Sequence, residues 1–322
     1  MLFTWKKVGV WVSIETTRWE KKLPIQYWFP WSDNTFFTRA SFQHESWAID
    51  TLVDTVDSEV TKKRAEWTIG WQVYPNGIGF FLKALMGSCN SSWEDGIFEH
   101  IFSLLESNLH PSLTVWTINP HWWESYALAM IESMDFNAEV WWKFNVSINL
   151  KSRKWESATH SVSYTDEKWF VANMLKVYFS DSIEWLDRAE NICLQSVNLS
   201  LKKEIKDIEC ISSLDPIDYI NTSFSIEGSM ELLYEDNSYK DLFLNWEAKA
   251  LRLLAEDRLH PYEWVDNYPT FMLDLSKIKI TDWTPAFTLD DITKQSISFK
   301  WHYDLKSHKA IEVYLKNTQE SY

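Results

Sequence analysis

The sequence predicts an all-β fold with short helices, a duplicated antiparallel β-sandwich or barrel. Apolar and polar residues alternate with period two in several segments. Helical periodicity is confined to short windows, and one succession of features occurs twice along the 322 residues.

Val10-Trp11-Val12-Ser13 reads as the first strand, followed by the polar stretch Glu15-Thr16-Thr17-Arg18-Trp19. A long polar loop is expected from His44 to Lys63, carrying Asp50, Asp54 and Asp57. The strand after it holds Glu66, Trp67, Gly70 and Trp71. Ile78, Phe81, Leu82 and Leu85 then follow the i, i+3, i+4, i+7 rule of a helix, with Gly87 placed as its C-terminal cap. Residues 97–105 fit a helix or a strand equally well. Phe144, Val146, Ile148 and Leu150 alternate cleanly.

In the second half Val177-Tyr178-Phe179-Ser180 opens a strand, and Val197, Leu199, Leu201 and Ile205 mark another. A loop from Lys206 to Asn221 carries Asp207, Asp215 and Asp218. Phe224, Ile226, Met230 and Leu232 then alternate with Ser225, Glu227, Ser229 and Glu231, so one face is buried and the other is acidic and wet. Asn237-Ser238 is placed to cap a short helix with Tyr239, Leu242 and Phe243, and Ile297, Phe299 and Tyr303 mark a last strand.

The halves read as copies. Asp57 precedes Gly70 by the same interval as Asp215 precedes Gly228, and a helix candidate follows each glycine. Two β domains are expected, residues 1–165 and 166–322.

The net charge of −15 argues against a surface that grips nucleic acid, because binding phosphates requires cationic groups. Three widely spaced cysteines, Cys89, Cys193 and Cys210, fit neither a disulfide framework nor a zinc site and are expected to be buried free thiols. No secretory signal or membrane span is expected.

Twenty-one tryptophans stand against seven glycines, and the tryptophans occupy places that call for glycine. Trp122-Trp123 and Trp141-Trp142 lie between strand patterns, where tight turns need positive φ, and Trp19 lies in a polar loop. A UGA codon read as glycine in the source organism would account for this; the other reading is a chain genuinely rich in aromatic contacts. Returning about sixteen of the tryptophans to glycine would restore the ordinary glycine share of roughly 7%.

No residue set reads as catalytic. The eight histidines are scattered, and Glu99-His100 and His44-Glu45 are expected to be surface hydrogen-bonding pairs. Gly77-Ile78-Gly79 lacks the Gly-Lys-Ser/Thr ending of a phosphate loop, and Asp54/Asp57 and Glu256/Asp257 lack calcium-loop spacing. No catalytic residue, metal or cofactor is expected.

Ile14-Glu15-Thr16-Thr17-Arg18-Trp19, then Tyr27-Trp28-Phe29-Pro30-Trp31-Ser32-Asp33, resemble the opening of major tail tube proteins of long-tailed bacteriophages. In that family a lysine stands at Ile14 and a glycine at Trp19. The run Val60 to Gly70, the helix Phe80 to Leu85 with its Gly87-Ser88 turn, and His110-Pro111-Ser112-Leu113-Thr114-Val115 resemble further family elements in the same order. The resemblance makes residues 98–104 a strand. It implies a structural, non-enzymatic virion protein, assembled in the host cytoplasm into stacked rings that conduct DNA.

The implied partners are the chain itself, as a trimer with pseudo-six-fold symmetry or a hexamer, and tail proteins such as tape measure, terminator and baseplate. DNA would pass without specific binding, and no membrane partner is implied. Glu66, Glu227 and Glu231 are expected to face the bore. Asp50, Asp54, Asp57, Asp215 and Asp218 are expected on loops between rings. Two other readings stay open: a carbohydrate-binding or glycoside-cleaving sandwich with a cleft of Trp122, Trp123, Trp141 and Trp142, and another tail ring such as a terminator or baseplate component.

Overall fold

The computed structural model describes residues 4–23, 25–46, 52–94, 96–157, 164–262, 267–287, 292–305 and 310–322. The alternating segments form strands. In the first half these are β1 (Gly9–Ile14), β2 (Tyr27–Phe29), β3 (Asp33–Asn34), β4 (Phe37–Glu45) and β5 (Asp57–Gln72). Helix α1 (Gly77–Met86) follows, then β6 (Gly87–Glu94), β7 (Ile97–Leu104), β8 (Leu113–Ile118), β9 (Trp123–Glu139), β10 (Asn145–Ser152) and β11 (Glu156–Ser157). The second half has β12 (Leu175–Ser180), β13 (Leu194–Ile208), β14 (Asp218–Leu233), α2 (Ser238–Leu244) and β15 (Ala248–Glu256). It ends in β16 (Thr270–Ala286), β17 (Lys294–Trp301) and β18 (Ile311–Asn317).

All pairings among these strands are antiparallel. The central ladder runs β4–β5–β10–β9–β13–β14–β17–β16, so the β9–β13 pair joins the halves edge to edge. The first part of β9 pairs with β8, which passes to β1 and β2. The first part of β16 pairs with β15 and β18, and β18 crosses back to β7 of the first half. The main apolar core lies beneath, with two smaller buried clusters beside it. Phe271 sits 5.4 Å from Phe136 and 6.0 Å from Phe144, ring to ring across the junction.

Helix α1 lies inside this core, with every residue but Lys83 buried, as expected for a helix that is apolar all round. Gly87 ends it at φ 91°, a conformation that disfavours any side chain. Helix α2 starts where expected, but the Asn237 side chain does not cap it. Asp236 Oδ1 instead accepts the Ser238 amide at 2.8 Å.

The order β1, β4, β5, α1, β8, β9, β10 of the first half recurs as β12, β13, β14, α2, β15, β16, β17 in the second, and so do its irregularities. In the β4–β5 hairpin the register steps from Ser41↔Lys62 to Phe42↔Val60 and leaves Thr61 over. In β13–β14 it steps from Glu204↔Ser223 to Ile205↔Asn221 and leaves Thr222 over. A second bulge leaves Glu132 over between β9 and β10, and its counterpart leaves Thr281 over between β16 and β17. A bulge is a specified extra residue, so two of them at matched steps fix the alignment. Laid out this way, Glu66 matches Glu227, Gly70 matches Glu231, and Gly228 matches Trp67. The sequence pairing of Gly70 with Gly228 is therefore corrected by the ladder.

Four other expectations are corrected. His44 to Lys63 is a loop only in part, since β4 runs to Glu45 and β5 starts at Asp57, so the ends of this stretch form a two-stranded arm connected through residues 46–56. The second loop is likewise shortened to residues 209–217. Cys193 and Cys210 are exposed and Cys89 is half-buried, so the free thiols are not core residues. His100 is buried, held by Ser91 Oγ at 2.7 Å, Asn317 Oδ1 at 3.2 Å and the Gln319 carbonyl at 2.9 Å.

Among the described residues, four that are not glycine have positive φ: Trp19 (63°), Leu128 (58°), Trp141 (65°) and Trp246 (57°). Three of the four are tryptophan, a bulky residue that this region penalises. Trp141 is also 95% exposed in the β9–β10 turn.

Candidate functional site

Strand parity puts every second side chain of the central ladder on a face away from the core. One row across it joins Gln72, Asn145, Asn137, Asn198, Ser229, Ser298 and Asp282. The next joins Gly70, Ser147, Asp135, Ser200, Glu227 and Lys300. A third joins Thr68, Asn149, Ser133, Lys202 and Ser225. The rows hold no large apolar residue and cross the junction between the halves without a break. They line a hollow of about 750 Å³ that includes Asn137, Ser200, Glu227 and Ser298.

The polar groups of this face satisfy one another sideways. Thr68 Oγ1 donates to Asn149 Oδ1 at 2.5 Å, Asn149 Nδ2 to Ser133 Oγ at 2.7 Å, and Ser133 Oγ to Asp135 Oδ2 at 2.9 Å. Asn137 donates to Asn198 and Ser200 to Asp135 across the junction itself. Charges are paired as well. Glu227 lies between Lys300 at 3.2 Å and Lys202 at 3.4 Å, and these lysines hold its carboxyl below the usual carboxylate range. Glu231 pairs with Lys294 at 3.4 Å and Glu66 with Arg64 at 2.7 Å. All three glutamates share one face by strand parity, and each carries a cation.

The acidic loop residues divide. Asp54 and Asp57 are exposed on the β4–β5 arm, whose tip also exposes Phe42, Leu52, Val53 and Val56; Asp50 lies outside the described residues. Asp215 instead pairs with Lys154 at 2.8 Å, and Asp218 Oδ1 accepts from Arg18 at 2.5 Å. Asp207, beside them, takes Lys62 at 2.6 Å and Arg64 at 2.8 Å. The second hairpin is thus clamped to the first half by ion pairs, with Lys62 and Arg64 at the base of the first hairpin forming part of the clamp, whereas the described residues nearer that hairpin's tip are exposed.

The two sequence motifs around Glu15 and His110 form one hydrogen-bond cluster. The buried Glu15 carboxylate accepts from Ser112 Oγ (2.5 Å), Thr114 Oγ1 (2.9 Å) and the amides of Leu128 and Trp19 (both 2.8 Å). Burial raises its pKa, and those four donors oppose the shift. Arg18 donates to the His110 and Tyr219 carbonyls as well as to Asp218, tying this cluster to β14. The motif Glu-Thr-Thr-Arg therefore works as a joint between the halves.

A family model described as phage tail tube protein matches residues 14–256, from just before this joint to the end of β15. The chain belongs to the phage tail tube family. No match was found among curated proteins. As a tail tube chain it is a structural component of the virion tail, and the all-β fold agrees with that membership. No described helix is long and apolar enough to cross a membrane. No group of three metal-ligating side chains occurs among the described residues.

The tryptophan cleft of the carbohydrate reading does not assemble. Trp141 and Trp142 border a groove of about 530 Å³ with Val171, Leu175 and Cys193, but Trp122 and Trp123 do not. Glu139 is the one carboxylate on that groove's wall, too few for a glycosidase pair.

Sequence reading missed two ionisable groups in the tail tube chain, one buried and one half-buried. Lys203 occupies an inward position of β13 between Leu201 and Ile205, and the break in alternation is its sequence signal. Burial first, and then Arg18, push its pKa down to about 7. Glu167 accepts the Asn76 amide at 2.9 Å, and the Tyr27 hydroxyl, at the start of α1. Burial pushes it up to about 8, and nothing in the sequence marks it.

Proposed function

We propose that this tail tube chain polymerises as stacked rings into the wall of the tail tube, with the polar sheet face lining the DNA channel. The observation that carries this is the unbroken polar surface from β5 to β17. Duplex DNA presents about one charge per 1.7 Å, so a cationic wall would collect phosphate contacts and stall it. An apolar wall would be costly to wet. A face of Ser and Asn, bonded to one another and carrying neutralised pairs, offers a passing duplex few unsatisfied groups. Glu66, Glu227 and Glu231 act there by cancelling the lysines and arginine beside them, leaving the excess acidity of the chain to repel over about 8 Å.

The halves, residues 1–165 and 166–322, are two copies of one module, so three chains give six modules per ring. The arm bearing Asp50, Asp54 and Asp57 reaches an adjacent ring. The hairpin bearing Asp215 and Asp218 supports the wall from within. Tape measure, terminator and baseplate proteins meet the tube along its bore and at its ends. Assembly takes place in the host cytoplasm, and no reaction is part of this role.

Replacing Glu66, Glu227 and Glu231 together with lysine tests the bore. Tubes are expected to form and to retain DNA at low salt, with release as salt rises. Failure to assemble with normal folding would place these residues at a subunit contact instead.

The left-handed tryptophans support a recoded gene. At Trp19, Trp141 and Trp246 the backbone takes a glycine conformation, and at Trp67 the matched position in the second half is Gly228. UGA codons at these four positions, and glycine in peptides of the virion protein by mass spectrometry, are the expected result. UGG codons there would end it.

A further inference from the structure

The polar sheet stops at two open edges. At one end β3 and β4 pair with β5 alone, and at the other residues 281–286 of β16 pair with β17 alone, among the described residues. The matched bulges identify these edges. Strands β3 and β4 together occupy the place of β13, since Asp33↔Gly70 and Arg39↔Arg64 correspond to Ser196↔Glu231 and Lys202↔Ser225. The end of β16 occupies the place of the end of β9, with Asp282 at Ser133 and Thr284 at Asp135. In the first half that edge is already covered: β9 is paired by β13.

We infer that a second copy of this chain adds its β3–β4 edge to the end of β16, in the register that β13 takes on β9 within the chain. The junction inside the molecule is a template for the junction between molecules. Ser133↔Lys202 then becomes Asp282 opposite Arg39, Met134↔Leu201 becomes Trp283 opposite Thr38, and Asp135↔Ser200 becomes Thr284 opposite Phe37.

The side chains fit this register. Asp282 and Arg39 are of opposite charge and lie on the polar face, where a directly opposed pair stabilises an antiparallel ladder. Phe37 is exposed at the free edge with the Arg39 guanidinium 4.5 Å from its ring centre, and the neighbour would cover it. Trp283 lies on the core side beside Tyr234, and Thr38 lies on the core side in its own half. Pro285 brings no amide to the edge, which shortens the run available to an unrelated strand. Because each copy offers one edge of each kind, the contact is head to tail and closes into a ring.

The pairing rests on the ring assembly proposed above, and charge reversal separates the two. Arg39→Glu and Asp282→Lys are expected each to leave folded subunits that no longer form rings at low salt by light scattering and negative-stain microscopy, while the double variant recovers them. In a background with Cys89, Cys193 and Cys210 changed to serine, oxidation of Phe37→Cys/Thr284→Cys is expected to give intermolecular disulfides within rings. Rings from both single variants together with no cross-link would overturn the register and leave ring assembly standing. Absence of rings from the unaltered chain would overturn both.

Discussion

Lys203 Nζ donates to the carbonyl of Ala84 at 2.9 Å, joining β13 of the second half to the last turn of α1 in the first. A second bond reaches the Leu85 carbonyl at 3.3 Å, and the His110 ring meets that same oxygen at 2.9 Å. The ammonium sits where a helix leaves carbonyls unpaired and where its dipole favours a cation, which explains a lysine on the apolar face of a strand.

Its burial has a pH signature. With the folded pKa about 7 and the ordinary value 10.5, the unfolded chain holds more protons between those limits. Stability contributed by this site therefore rises with pH from about 7 and levels off near the ordinary lysine value; below 7 both states are protonated and the slope vanishes. Lys203→Met is expected to remove that slope, read from urea midpoints across the range. An unchanged slope would show that Lys203 titrates normally.

Glu15→Ala strands two hydroxyls and two amides inside the protein. Leaving a buried neutral donor unsatisfied costs roughly 1–3 kcal/mol. A loss of at least that size in chemical denaturation is expected, with Glu15→Gln intermediate because it keeps part of the acceptor set.

These two residues mark how far the sequence was legible. Strand parity, the α1 stripe and Gly87 follow from local periodicity, so the strands and first helix were readable. The polar face was readable as alternation in Phe224 to Leu232, but its continuity from Gln72 to Asp282 depends on which edges meet, and that is a tertiary property. The ion pairs that occupy Asp215 and Asp218 were hidden for the same reason: Arg18 and Asp218 stand 200 positions apart. The arm was misjudged as a loop because its strands are exposed on both faces and carry no apolar stripe to reveal the period.

Deleting residues 46–56 with a two-residue turn in their place is expected to leave the subunit's thermal transition within a few degrees of the parent. The described residues of this stretch, 46 and 52–56, lie outside the strands, and surface connections tolerate deletion. Tubes, by contrast, are expected to fall apart into single rings by microscopy. Tubes of normal length would remove the arm from inter-ring contact.

The left-handed positions give opposite signs according to burial. Trp141→Gly and Trp246→Gly each relieve an αL penalty of about 1–2 kcal/mol, partly offset by glycine's extra unfolded-state freedom, and are expected to stabilise by up to about 1 kcal/mol. Leu128→Gly relieves the same strain but empties a fully buried site, at a cost of roughly 2–5 kcal/mol. Raised midpoints for the first two and a lowered one for the third are the expected outcome in denaturant titrations.

The return of β18 to β7 makes completion of the first half depend on the last described strand of the tail tube chain. β7 has β6 on one side and waits for Ile311–Asn317 on the other, while Asn317 must also reach His100 and the Pro75 carbonyl before the α1 region is sealed. Pairings this distant close late, because the entropy of a long loop is lost before any contact rewards it. The first half is therefore finished only after residues 311–317 have been made, so its last strand pairing is expected to wait on the second half.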